Sequence, residues 1–218
     1  MPQLTLNPLD AQPSGMTWQP AGPLPIEVRR FGLFPNVDDW LPGDLVLVSH
    51  VQPDWIQRQI MEAQGRCGYA PDDAQWQHSA VYMGDAYVCE AGTSGVRYEK
   101  IANYVGSHKI RVRRDFSLTP DDRWRLAIQE VVRLGDPYNF REIFSIYRTS
   151  YSSSWTSAVR AQFYATKGSV ICSRLYANAY SAVTGRLLST EPNASITPAT
   201  LSFSPTLNDV KVCWRVIA

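Results

Sequence analysis

The sequence predicts an α+β fold: a small, mostly antiparallel sheet over about residues 43 to 113, packed against helices at 120 to 134 and 172 to 184. Short β-rich runs broken by Pro-Gly and Gly-Asp turns fill the first half of the chain. A capped amphipathic helix then begins after Thr119, and a second apolar-striped helix opens at Cys172 and closes at Gly185. At 218 residues the chain is long enough to bury one sizeable core.

Taken in order, residues 1 to about 25 carry Pro2, Pro8, Pro13, Pro20, Pro23 and Pro25 with few apolar neighbours, which reads as an extended, weakly ordered lead-in. The turn Leu41-Pro42-Gly43-Asp44 introduces the strand Leu45-Val46-Leu47-Val48, whose unbroken apolar run predicts burial on both faces. A loop or short helix around Trp55 to Gln64 follows. Strands are expected at His78 to Met83 and Tyr87 to Ala91, joined at Gly84-Asp85, then at Gly95 to Tyr98 and Lys109 to Val112.

Thr119 as N-cap, Pro120 at the first helical position and Asp122 in a capping-box position start the first long helix, and Trp124, Ala127, Ile128, Val131 and Val132 recur at helical spacing. The aromatic, serine-rich stretch from 140 to 165 reads as helix plus loop. Leu175, Tyr176, Ala179 and Val183 give the second helix its buried face, and a last strand lies near Val210 to Val216.

Lys and Arg (21) nearly balance Asp and Glu (20), so no long-range field would recruit nucleic acid. Arg111, Arg113 and Arg114 alternate with Ile110 and Val112, the pattern of a solvated strand face. The start of the chain lacks a basic segment followed by an apolar core, and no run of about eighteen apolar residues is present, so a cytoplasmic protein with no signal peptide and no integral membrane segment is expected. Cys67, Cys89, Cys172 and Cys213 are scattered without a C-x-x-C pair, which favours reduced thiols.

Cys172 is the thiol placed for chemistry. It opens a helix, whose N-terminus favours a thiolate and offers free N–H groups to an oxyanion. His78, at a strand start, is the candidate base, with His50 and His108 as rivals. Glu90, in an otherwise apolar run, lies nearly opposite His78 if the hairpin turns at Gly84-Asp85, and a buried carboxylate there needs a partner. That partner is His78, or an arginine such as Arg97 or Arg174. Cys67, Cys89 and Cys213 read as small buried hydrophobes, and no closely spaced ligand pair indicates a metal site.

The segments Pro42-Gly43-Asp44-Leu45-Val46-Leu47-Val48 and His78-Ser79-Ala80-Val81-Tyr82-Met83-Gly84-Asp85 resemble the Gly-Asp-Leu strand and the histidine strand of NlpC-type cell-wall peptidases. Gly135-Asp136-Pro137-Tyr138 resembles that family's Gly-x-Pro-Tyr segment. Because Val170-Ile171-Cys172-Ser173-Arg174-Leu175 follows these strands instead of preceding them, the order resembles the circularly permuted, YiiX-like branch related to lecithin-retinol acyltransferases, and Ile196-Thr197-Pro198 resembles its C-terminal part.

The resemblance implies a permuted papain-like catalytic domain over 41–218 behind an N-terminal lead-in of 1–40. It implies a bacterial thiol protease or amidase with Cys172 as nucleophile, His78 as base and Glu90 as the residue that orients the imidazole, without a cofactor. Tyr176 and Tyr180, which follow the cysteine on its helix, are candidate substrate-binding residues. The implied substrate is an amide in a peptidoglycan stem peptide; the alternative is an acyl-lipid or thioester hydrolase or acyltransferase using the same site, and a third reading is a binding module that has lost catalysis. A wall-directed enzyme without a signal peptide implies a specialised secretion route, which leaves an effector role and an immunity or secretion partner open.

Overall fold

The computed structural model describes residues 4–92, 94–136, 172–190 and 196–218. In chain order the elements are β1 (Pro13–Trp18), α1 (Ile26–Phe31), β2 (Leu33–Pro35), β3 (Leu45–His50), α2 (Trp55–Arg66), α3 (Pro71–Ala74), β4 (His78–Gly84), β5 (Tyr87–Gly92), β6 (Gly95–Lys100), β7 (His108–Arg114), α4 (Pro120–Val131), α5 (Cys172–Thr184), α6 (Pro198–Phe203), β8 (Asn208–Asp209) and β9 (Trp214–Ile217). Six strands form an antiparallel sheet in the order β6-β5-β4-β3-β7-β8, and β1-β9-β2 form a smaller one. The chain is therefore α+β, and the strands expected between residues 45 and 112 are present.

The large sheet is covered on both faces. One face, carrying Val46, Val48, Ala80, Tyr82, Val88, Ile110 and Val112, packs against Leu6, Val28, Phe34, Trp40 and Trp214. The other carries Leu45, Leu47 and Val81 against Leu126, Tyr176, Ala177, Tyr180 and Leu201. This is why Leu45-Val46-Leu47-Val48 is apolar throughout: alternate side chains enter different cores.

The N-terminal segment is not the extended, weakly ordered lead-in that its prolines suggest. Leu6 is fully buried and bridges to Ile110 (N–O 2.8 and 2.9 Å), β1 runs parallel to β9, and β2 pairs antiparallel with β9. Its few apolar residues are spaced to reach one core, and burying them offsets the cost of ordering the chain. The strand expected at Val210 to Val216 is divided accordingly: β8 extends the large sheet and β9 centres the small one.

Gly43 shows why the turn into β3 has its sequence. Its φ is +86° and a Cβ there would stand 2.9 Å from the Arg123 carbonyl oxygen. The fully buried Asp44 beside it accepts from Arg114 Nε (2.7 Å) and Nη2 (2.6 Å). The arginine run is thus no solvated face. Arg113 donates to the carbonyls of Leu201, Ser202 and Leu207, and Arg111 pairs with Asp209 at 2.6 Å. The strand pattern is correct, but these side chains fasten β7 to β3, α6 and β8.

α4 begins in the predicted capping box, with Thr119 Oγ1 accepting from Asp122 N at 3.2 Å and Asp122 Oδ2 accepting from Thr119 N at 3.1 Å. α2 carries a second capping box, Asp54 with Gln57, where the sequence suggested a loop or short helix. The aromatic stretch at 140 to 165, the Pro137-Tyr138 pair and the Val170-Ile171 run lie outside the described residues. Among the described residues no helix is long and apolar enough to cross a membrane.

Candidate active site

β4 and β5 set the positions of His78 and Glu90. The turn between them is one residue later than expected: Asp85 and Ala86 both take left-handed φ values (49° and 60°), the type I′ geometry suited to two-residue hairpins. A register shift between Tyr82 and Gly84 then places Glu90 across from Ala80. His78 and Glu90 are consequently diagonal neighbours on one face, not directly opposite, and the longer carboxylate arm closes the gap. His78 Nε2 lies 2.6 Å from Glu90 Oε2.

Glu90 is held on both oxygens. Arg97, its cross-strand partner on β6, donates to Oε1 from Nε (3.1 Å) and Nη2 (2.9 Å). The Tyr104 hydroxyl, from the 3-10 turn Ile101–Tyr104, donates to Oε2 beside the imidazole. The sequence offered a choice between His78 and an arginine as Glu90's partner; the structure has Glu90 bound to His78 and Arg97 at once. Tyr104 was not foreseen, since a tyrosine in a short linker carries no local signal of what it will reach.

Cys172 is the first residue of α5 and is buried. α5 packs on β4 and β5, so the Cys172 sulfur comes close enough to the His78 ring to interact with it electrostatically. With Nε2 committed to Glu90, Nδ1 is the ring nitrogen left available to a thiol. The helix turns its Leu175 toward Cys89, Ala91 and Val96 and ends at Gly185, whose φ is +68°. The Ile196-Thr197-Pro198 segment seats against the cysteine turn, where Ser173 Oγ donates to the Ile196 carbonyl at 2.6 Å.

The electrostatics favour an ion pair. Burial opposes charge on the His78 ring, but the Cys172 sulfur and the Glu90 carboxylate outweigh it and raise His78 to about 10. Burial likewise opposes the Cys172 thiolate, and the neighbouring His78 charge outweighs it and brings the thiol below its ordinary value. For Glu90, burial pushes the carboxyl up, while His78, Tyr104 and Arg97 bring it down to about 2.

The other candidates are engaged differently. His50 and His108 meet edge to face at 4.5 Å between centroids; His108 also packs on Tyr104, its Nδ1 bonds Ser107 Oγ at 2.8 Å, and burial, then His50 and His78, depress it to about 4. Cys89 is fully buried, its thiol driven to about 12 by burial and then by Glu130 and Glu90, and all four cysteines are unbridged. Tyr176 and Tyr180 are buried in the second core, with hydroxyls donating to the Gly43 carbonyl (3.4 Å) and Asp115 Oδ2 (2.6 Å). Among the described residues their contacts are those of core residues that brace α5. Among the described residues no group of three or more His, Cys, Asp or Glu is placed to hold a metal ion. No family model matches the chain, and no curated protein matches it significantly.

Proposed function

We propose that this chain is a cysteine hydrolase with a circularly permuted papain-like architecture, cleaving an amide bond through an acyl-enzyme. The observation that carries the reading is the Cys172–His78–Glu90 arrangement: a thiol at a helix N-terminus, a histidine within reach of it, and a buried carboxylate on that histidine's far nitrogen. His78 Nδ1 takes the thiol proton, the sulfur attacks the carbonyl carbon, and backbone N–H groups at the start of α5 hold the oxyanion. The imidazolium returns its proton to the leaving amine. It then draws a proton from water, which releases the acyl group and restores the thiol.

The order of strands before cysteine helix supports the permuted architecture, and the motif resemblance supports a peptidoglycan stem peptide as substrate. The test is incubation of the protein and its Cys172→Ala variant with muropeptides and, separately, with a simple acyl ester, followed by mass spectrometry. New amine-bearing fragments and a transient acyl adduct on Cys172 are expected. Ester cleavage alone would move the reading to acyl-lipid chemistry, and neither product nor adduct would overturn it.

A further inference from the structure

An ionised carboxyl offers about four acceptor positions, and at the buried Glu90 all of them are taken. Arg97 fills two on Oε1, while His78 and Tyr104 share Oε2. The proposed dyad uses the bond to His78 and leaves the one from Tyr104 without a role. Tyr104 ends the 3-10 turn between β6 and β7, and its ring is buried. His108, at the start of β7, meets that ring edge on at 5.3 Å between centroids and is itself backed by its cross-strand partner His50. The Tyr104 carbonyl accepts from the Ser107 N–H at 3.4 Å. The phenol is thus seated by packing as well as by its hydrogen bond. Burial and the facing carboxylate raise it above its ordinary value, so it keeps its proton and remains a donor.

We propose that Tyr104 is a positioning residue of the site: its hydroxyl occupies the second acceptor position of Glu90 Oε2 and keeps that oxygen turned to His78 Nε2. This rests on the cysteine-hydrolase reading. Strand β5 sets where the carboxylate is, and Tyr104 sets which way it faces. Arg97 is the weaker anchor, because it comes from the edge strand β6, holds the other oxygen and is 43% exposed. Without the Tyr104 hydroxyl a buried lone pair is left unmatched, and the carboxyl gains by turning toward another donor or admitting water. The imidazole then loses the partner that fixes its plane and its proton, and with them its hold on the thiolate. A tyrosine that only supports the fold would also cost stability on losing its hydroxyl, but its effect on Cys172 would not depend on the charge at Glu90.

The experiment is a double-mutant cycle read by the pH dependence of Cys172 alkylation with iodoacetamide, mapped by mass spectrometry, for wild type, Tyr104→Phe, Glu90→Gln, the double variant and His78→Ala. Tyr104→Phe keeps the ring against His108 and removes only the hydroxyl. Labelling at pH 6 should slow on the order of fivefold, whereas the same substitution in the Glu90→Gln background should change it by less than about twofold, because it acts through the carboxylate. A Tyr104→Phe protein that labels like wild type would overturn the proposal, and so would an equal loss in both backgrounds. Should Tyr104→Phe not fold, the wild-type protein gives the answer by NMR: a slowly exchanging Tyr104 hydroxyl proton close in space to the His78 Nε2 proton is expected, and its absence would overturn the proposal. Failure of the hydrolase reading is told apart, because it shows as wild-type labelling rates in both Glu90→Gln and His78→Ala, and that result removes the proposal with it.

Discussion

Glu90 Oε2 lies 2.6 Å from His78 Nε2 although the two residues sit on different strands and are not register partners. The same oxygen takes the Tyr104 hydroxyl, and Oε1 takes Arg97. The carboxylate is thus fixed before it meets the imidazole, which leaves the ring little freedom in orientation. Glu90→Gln keeps the shape and removes the charge. The imidazolium loses its second source of stabilisation, the Cys172 thiolate loses in turn, and alkylation at pH 6 should fall on the order of tenfold. Labelling equal to wild type would show that the carboxylate does not serve the dyad.

Arg97 separates an orienting role for Glu90 from a simple surface ion pair. Its side chain is 43% exposed, and ion pairs of that kind contribute at most about 1 kcal/mol. Arg97→Gln should therefore change Cys172 labelling by less than about threefold and leave the melting temperature nearly unaltered. A loss as large as that of Glu90→Gln would mean that Arg97, and not the strand, positions the carboxylate.

Glu90 also ties stability to acid. Its folded-state value near 2 lies below its ordinary 4.5, so its contribution is complete above about 4.5 and disappears as pH falls toward 2. Urea unfolding followed across that window should show wild type losing stability more steeply than Glu90→Gln, with the two curves converging at the acid end. Parallel curves would contradict the assignment.

Much of this was legible because it is local. Thr119-Pro120 with Asp122 fixes the start of α4, and the apolar run at Leu45 fixes a strand buried on both faces. The approach of His78 to Glu90 was also accessible from the hairpin, although the turn at Asp85-Ala86 and the register shift made the pair diagonal. What the pattern hid is long-range. Arg113 and Arg114 alternate like solvated residues, yet they end on carbonyls of α6 and on Asp44. Leu6 gives no hint that it will pair with Ile110, and Tyr104 reaches Glu90 only when distant elements close over it.

The dyad predicts an activity profile in pH. Thiolate formation depends on the lowered Cys172 value, and leaving-group protonation depends on the imidazolium, which survives to about 10. Alkylation, which needs only the thiolate, should rise once and stay high; turnover should rise with it and then fall as pH passes through about 10. Measured on the same preparation, the two curves should part only on the alkaline side. If turnover and alkylation remain parallel there, His78 is not donating the proton to the leaving group.

Glu130 tests how the core tolerates charge. It is fully buried on α4, neither carboxyl oxygen has a hydrogen-bond partner among the described residues, and burial raises it well above its ordinary 4.5 despite Arg133. The folded protein therefore keeps this proton where the unfolded chain releases it. By linkage its contribution is fully present below about pH 4.5 and is lost as pH rises toward the folded value, at up to about 1.4 kcal/mol per unit. Glu130→Gln, neutral at every pH, should melt close to wild type at pH 4 and progressively above it by pH 8. A difference that does not change with pH would mean that Glu130 titrates alike in both states, and so that something in the folded protein meets its charge.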